Sequence, residues 1–262
     1  MRTGTRMLFG AFLVWGAVLS QTTPGEAHKS VTSKYFYNED VFPVFREHCG
    51  RCHVDGGVAP MSLMTYDDAS PWAESLRIEL LADAIPTWHP LKLTARELDL
   101  VLVWATGGAP RGKAGSDPPA VTLDTNWPSG APDFTATMAA PFTLDGAATE
   151  ATHEAEFALT TAAGKTVRAV DLKPGTPAIV RSATLLLKSA GAAPRPLAEW
   201  VPGQAAAVAL PAPVRIPPGA TLVTRILYKR TWKYEGQALT DTSAIGLYYA
   251  DTPTRRPTGR PR

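Results

Sequence analysis

Cysteine is nearly absent: the 262 residues contain two, too few for a disulfide framework. Neither sign of charge dominates, because 26 Lys and Arg face 24 Asp and Glu for a net charge of +2. That balance removes the electrostatic footprint of a general nucleic-acid binder, so no nucleic-acid partner is expected. Charged residues make up only 19% of the chain and hydrophobic ones 45%. Such a composition excludes extended disorder and provides apolar surface for one or two packed domains. No apolar run reaches the roughly 20 residues of a bilayer-spanning helix. Proline and glycine, by contrast, are plentiful at 24 and 21, which disfavours a mainly helical bundle and predicts many turns.

The N-terminus reads as an address. Arg2 and Arg6 precede an apolar run from Met7 to Leu19, and Gly25-Glu26-Ala27 then supplies small residues where a signal peptidase reads them. Residues 1–27 are taken as a signal peptide and set aside; the rival reading is an uncleaved N-terminal anchor. With the leader removed, the chain is expected to be soluble or peripherally associated with a membrane.

Two zones follow. Residues 28–112 read as short helices joined by loops. Asn38-Glu39-Asp40 suits a helix start, with Val41, Phe42, Val44 and Phe45 as the apolar face. A second helix is predicted over Asp67 to Leu81, and Thr94-Ala95-Arg96-Glu97 forms a capping box for a third that Gly107-Gly108-Ala109-Pro110 ends. Residues 113–126 are a linker. Residues 127–252 carry strand-like stretches at 154–160, 166–172, 178–187, 220–229 and 243–250, punctuated by the Pro-Gly pairs at 174, 202 and 218. The Arg-rich tail, residues 253–262, is expected to be disordered.

The two cysteines sit in Cys49-Gly50-Arg51-Cys52-His53, the Cys-x-x-Cys-His attachment sequence of c-type haem. Two thiols three residues apart reach the two vinyl groups of one porphyrin, and the adjacent imidazole meets the iron from one face. A thioredoxin-like pair would open a helix in a βαβ setting, and a zinc site would need further ligands; neither context is present. One covalent haem c is the expected cofactor, with Cys49 and Cys52 holding it and His53 as the proximal iron ligand.

Several further stretches accompany the motif: Gly56-Gly57-Val58-Ala59-Pro60, Thr65-Tyr66, Pro86-Thr87-Trp88 and Trp104-Ala105-Thr106-Gly107-Gly108-Ala109-Pro110. With it they make the first zone resemble a class I cytochrome c domain. The resemblance implies an all-α cytochrome c fold, an electron-transfer role and haem attachment outside the cytoplasm, in the periplasm. One departure matters. Where the resemblance implies a methionine as second axial ligand, this sequence has Ile85, which cannot ligate iron. The candidates for the distal position are His89, Met61, Met64 and His28 at a freshly cleaved N-terminus; an iron left open is the remaining option.

The second zone resembles the C-terminal domain of copper type II ascorbate-dependent monooxygenases. The stretches concerned are Trp127-Pro128-Ser129-Gly130-Ala131-Pro132-Asp133, Val167-Arg168-Ala169-Val170 with Lys173-Pro174-Gly175, Trp200-Val201-Pro202-Gly203, Pro217-Pro218-Gly219-Ala220 and Asp241-Thr242-Ser243-Ala244-Ile245-Gly246-Leu247. The resemblance implies an all-β antiparallel jelly-roll-like sandwich. Its copper histidines are missing: Arg181-Ser182 and Leu227-Tyr228 stand in their places, and His153 is the one histidine of the zone, so no copper is expected.

The fold class expected is therefore two domains, an all-α cytochrome c fold followed by an all-β sandwich. The leading functional expectation is a periplasmic monohaem cytochrome that passes single electrons to a redox partner protein or membrane complex, without enzymatic turnover of its own. Two alternatives stand beside it: a haem protein that binds or senses a small molecule, or acts as a weak peroxidase, at an open iron, and a cytochrome-fused copper monooxygenase.

Overall fold

The computed structural model describes residues 30–82 and 93–251. The expected signal peptide, the segment with Ile85 and His89, His28 and the residues of the C-terminal tail from 252 onward lie outside the described residues.

The expected all-α cytochrome c fold followed by a sandwich is overturned. The described residues are mostly β-sheet, and the helices are short and a small part of the molecule. They are α1 (Phe42–His48), α2 (Tyr66–Ala69), α3 (Ala73–Leu81) and α4 (Ala95–Thr106). The reason lies in the breakers. Gly50 ends α1, and Gly56, Gly57 and Pro60 keep residues 49–65 in turns. Pro71 lies in a 3-10 turn, Ser70–Trp72, that divides the predicted Asp67–Leu81 helix into α2 and α3. The predicted start at Asn38 is instead a π-helical turn, Tyr37–Val41. Helices this short draw their stability from tertiary contacts.

Those contacts centre on aromatic rings. Trp104 of α4 is fully buried, with Phe45 of α1 edge-on at 5.9 Å and Tyr37 at 6.1 Å. The polar tips are satisfied: Trp104 Nε1 donates to the Pro110 carbonyl at 3.0 Å, and the Tyr37 hydroxyl donates to the Leu63 carbonyl at 2.9 Å. The capping box of α4 forms as its sequence predicts, with Thr94 and Glu97 exchanging hydrogen bonds.

The strands are β1 (Phe134–Thr137), β2 (Phe142–Leu144), β3 (Glu150–Ala158), β4 (Thr166–Lys173), β5 (Val180–Lys188), β6 (Arg195–Trp200), β7 (Val208–Arg215), β8 (Thr221–Lys229), β9 (Leu239–Asp241) and β10 (Ala244–Tyr249). They pair antiparallel in two four-stranded sheets, β1-β10-β4-β7 and β3-β8-β5-β6, with β2-β9 as a short ribbon. One core joins the sheets, with Val167, Val170, Leu172, Ile245 and Leu247 from one and Phe157, Leu185, Leu187, Leu222 and Ile226 from the other. Strands β6 and β7 went unread in the sequence because each contains proline. The structure puts both at sheet edges, where a missing N–H is tolerated.

Buried polar groups in this region are structural. Asp241 accepts from the Tyr228 hydroxyl at 2.9 Å, the Ser243 hydroxyl at 2.7 Å and the Thr176 N–H at 2.7 Å. Asp171 of β4 accepts from Trp200 Nε1 of β6 at 2.9 Å, which ties the two sheets together.

Three contacts join the helical region to the sheets. Lys233 pairs with Asp55 at 2.6 Å, Trp232 stacks on Trp72 at 6.2 Å, and Arg51 donates to the Gln204 carbonyl at 3.2 Å. The sheet region thus meets the turn that carries the cysteines. No helix among the described residues is long and apolar enough to cross a membrane.

Candidate functional site

The site begins where α1 stops. Cys49 N–H still donates to the Phe45 carbonyl at 2.8 Å, so Cys49 occupies the end of the helix. The Cys49 carbonyl then accepts from Cys52 N–H at 3.1 Å and His53 N–H at 2.9 Å. Two successive hydrogen-bonded turns therefore follow α1 and carry Cys49, Cys52 and His53 within five residues. Both cysteines are unpaired and half-buried. Burial pushes the Cys49 thiol up to about 12 and the Cys52 thiol up to about 11, the latter against the opposing pull of Arg51 and Arg181. Both sulfurs are thus held as neutral thiols.

The following loop folds back over this turn. Gly57 N–H donates to the Val54 carbonyl, Ala59 N–H to the Cys52 carbonyl and Leu63 N–H to the His53 carbonyl, at 2.9, 3.2 and 3.0 Å. The closeness requires glycine at 57, where an added Cβ would stand 2.4 Å from the Cys52 carbonyl oxygen.

The loop also orients the imidazole. His53 Nδ1 lies 3.1 Å from the Met61 carbonyl. A carbonyl only accepts, so Nδ1 carries the hydrogen and Nε2 keeps its lone pair. Burial lowers the His53 pKa, favouring the neutral ring, although the bond to Met61 pulls the other way. A neutral imidazole with Nδ1–H tied to backbone and Nε2 bare is the state in which histidine binds a metal.

The distal candidates fall in different places. Met61 starts behind the imidazole, on the Nδ1 side, because its own carbonyl receives that hydrogen bond. Met64 is buried in the helical core, its sulfur 3.2 Å from where a Cβ on Gly50 would stand. His89 and His28 lie outside the described residues. His48 leaves the site altogether, with Nε2 3.2 Å from Glu97 of α4.

In the sheet region, β5 and β8 set Ser182 directly opposite Leu227, and Val180 opposite Tyr228. The positions that the copper resemblance singles out are therefore neighbours, but Ser, Leu and a Tyr hydroxyl engaged with Asp241 stand there. His153 stacks on Phe142 at 4.6 Å. Among the described residues no group of three or more His, Cys, Asp and Glu side chains could hold a metal ion.

Sequence reasoning missed the wall of the site. Gln204 and Lys233 come to Arg51 and Asp55, at and just beyond the cysteine turn, from more than 120 residues away, and no local pattern marks such an approach. A scan of protein-family models and a search of curated proteins find no match for this chain.

Proposed function

We propose that the chain is a periplasmic monohaem c-type protein that accepts and passes single electrons, with the sheet region as its docking scaffold. The observation that carries this reading is the His53 tautomer, fixed by Met61 with Nε2 free, on the same turn as two unpaired cysteines. The donor set suits haem: two thiols at the spacing of the vinyl groups and one soft nitrogen ligand beside them.

Haem supplies an iron that changes oxidation state by one electron without bond rearrangement. The protein's residues do the rest. Cys49 and Cys52 would hold the group covalently, each thiol supplying both the sulfur and the hydrogen needed to saturate one vinyl bond, so that no oxidant would be consumed. His53 would supply the nitrogen ligand to the iron, its ring oriented by the Met61 carbonyl. A redox partner protein or membrane complex is the counterpart this role requires.

The test is mass spectrometry of the exported protein made with a haem-attachment system. The peptide spanning residues 49–53 should carry an added mass of about 616 Da. An unmodified peptide from folded, exported protein would overturn the proposal.

A second reading, motivated by Ile85 where the resemblance implies a methionine, is a haem protein that binds a small molecule at an open iron. Optical spectra separate the two. A low-spin form indifferent to CO supports electron transfer, whereas a high-spin ferric form that binds CO on reduction supports ligand binding.

A further inference from the structure

One sheet edge is left open. The two four-stranded sheets have four edge strands, β1, β7, β3 and β6. Strand β1 is four residues long, while β6 and β7 carry prolines and pair across a register break. Shortness, proline and bulges are the devices that protect an edge. Strand β3 has none of them: its nine residues, without proline or glycine, pair with β8 with no shift. Two bonds continue this ladder at its ends, Arg230 N–H to the Thr149 carbonyl and Leu159 N–H to the Ala220 carbonyl, and they assign the odd-numbered residues to β8. By the alternation of an antiparallel ladder, the N–H and C=O groups of Glu150, Thr152, Glu154, Glu156 and Ala158 point away from β8. All five residues are exposed, and none of these backbone groups has a partner among the described residues.

The side chains of this edge are acidic. Glu150, Glu154 and Glu156 share the outer face, each half-exposed and each met from the β8 and β5 side by a cation, Lys229 at 3.5 Å, Arg225 at 3.0 Å and Lys188 at 2.8 Å. A strand laid along β3 sets its own side chains directly opposite these carboxylates, so basic residues at alternate positions fit and acidic ones do not. A second copy of β3 is the wrong occupant: every well-overlapped antiparallel register sets Glu against Glu, as in Glu154 against Glu154. Beside Glu154 and Glu156 the edge borders a cavity of about 150 Å³, lined also by Met138, Ala139, Ala140 and His153.

The chain carries a segment with the matching pattern, residues 252–262, which follows β10. Its even positions hold Arg256, Arg260 and Arg262 and no proline, whereas Pro253, Pro257 and Pro261 are all odd. In an extended strand that alternation puts the three arginines on one face. It also turns each proline nitrogen away from the paired edge, where no N–H is needed. Arg255 alone departs from the pattern. Arg256 and Arg260 are four residues apart, as Glu150 and Glu154 are, and each precedes a proline, which favours extended backbone. The point of departure suits as well: Ala250 N–H donates to the Thr166 carbonyl at 2.8 Å, and residues 159–165 join Thr166 to the end of β3. Eleven extended residues reach about 36 Å, against about 30 Å for the length of β3. We propose that residues 252–262, in place of the disorder their composition suggests, return along β3 as an added antiparallel strand. Their even-numbered arginines then lie over the column of Glu150, Glu154 and Glu156, their prolines face the cavity side, and the open edge is closed.

The test is residue-resolved amide hydrogen exchange on the full-length exported protein, beside a form ending at Asp251. The N–H groups of Glu150, Thr152, Glu154 and Glu156 should exchange about tenfold faster in the shortened form. Those of Ala151, His153, Ala155 and Phe157, bonded to β8, should keep their rates, which also shows that the shortened protein is folded. Full-length Arg256→Glu with Arg260→Glu should behave like the shortened form, and adding Glu150→Lys with Glu154→Lys should restore the protection. Equal exchange of the even-numbered amides with and without residues 252–262 overturns the proposal. An arginine reversal that leaves the protection intact overturns the pairing with the glutamates. Protection that rises with protein concentration, together with a dimeric mass, overturns it too and assigns the edge to a second copy. None of these readouts depends on covalent haem.

Discussion

The helical region and the sheet region solve opposite problems. The sheet region has a large core shared by two four-stranded sheets, and its buried polar groups are mostly bound into structural pairs such as Asp241 with Tyr228 and Ser243. The helical region has a small core of a few aromatic rings and short helices, and it carries the unpaired thiols and the free imidazole nitrogen on turns. Reactive groups sit on the less regular part, where backbone geometry serves the site, while the larger core provides a rigid wall.

Several experiments would break or sharpen that contrast. The largest effect belongs to Cys49→Ser with Cys52→Ser. Covalent haem should vanish completely by mass, while the sheet region keeps its cooperative unfolding in calorimetry; loss of both transitions would mean the regions are one folding unit.

Trp104→Ala comes next. It removes a fully buried ring and a hydrogen bond to Pro110, costing about 4 kcal/mol. Hydrogen exchange should show the helical region opening while the β-sheet amides stay protected. Leu185→Ala is the mirror experiment, expected to cost about 3 kcal/mol in urea unfolding of the sheets without removing haem from the cysteines.

Asp171 offers a smaller, pH-dependent effect. Burial raises its carboxyl to about 6 in the folded state, despite the Trp200 hydrogen bond. From about pH 4 to 6 the folded chain therefore holds a proton that the unfolded chain has released, so stability falls as pH rises through that window. It stays lower above it, by about 3 kcal/mol. Asp171→Asn should flatten this part of the stability profile. A slope unchanged in the variant would assign it to other groups.

The seam should respond least. Lys233 and Asp55 are largely exposed, so Lys233→Met costs at most about 0.5 kcal/mol. Trp232→Ala, which removes the stack on Trp72, costs about 1 kcal/mol. Both should make the two regions unfold more independently in calorimetry.

Legibility differed by element. The capping box at Thr94 and Glu97 was readable because the cap is a contact three residues long. The segment 67–81 was overread as one helix, since its apolar spacing masks the break at Pro71. An all-α domain was inferred from pieces that each read as helix; their shortness, and the weight of sheet around them, emerged only in the folded chain. At the site, adjacent residues were legible and distant ones were not. Cys49, Cys52 and His53 announce themselves by spacing, whereas the Met61 carbonyl that fixes the His53 tautomer is a backbone atom that no residue type encodes.

What the sequence determined alone is the chemical inventory: two thiols and an imidazole within five residues, and no histidine at the places a copper site would need. Local covalent spacing suffices for that, because the distances involved are shorter than any fold can alter. Tertiary structure decided which way the imidazole faces, and that the sheet region meets the cysteine turn where Arg51 reaches the Gln204 carbonyl. Those outcomes depend on segments far apart in the chain, whose meeting is settled by packing and strand register.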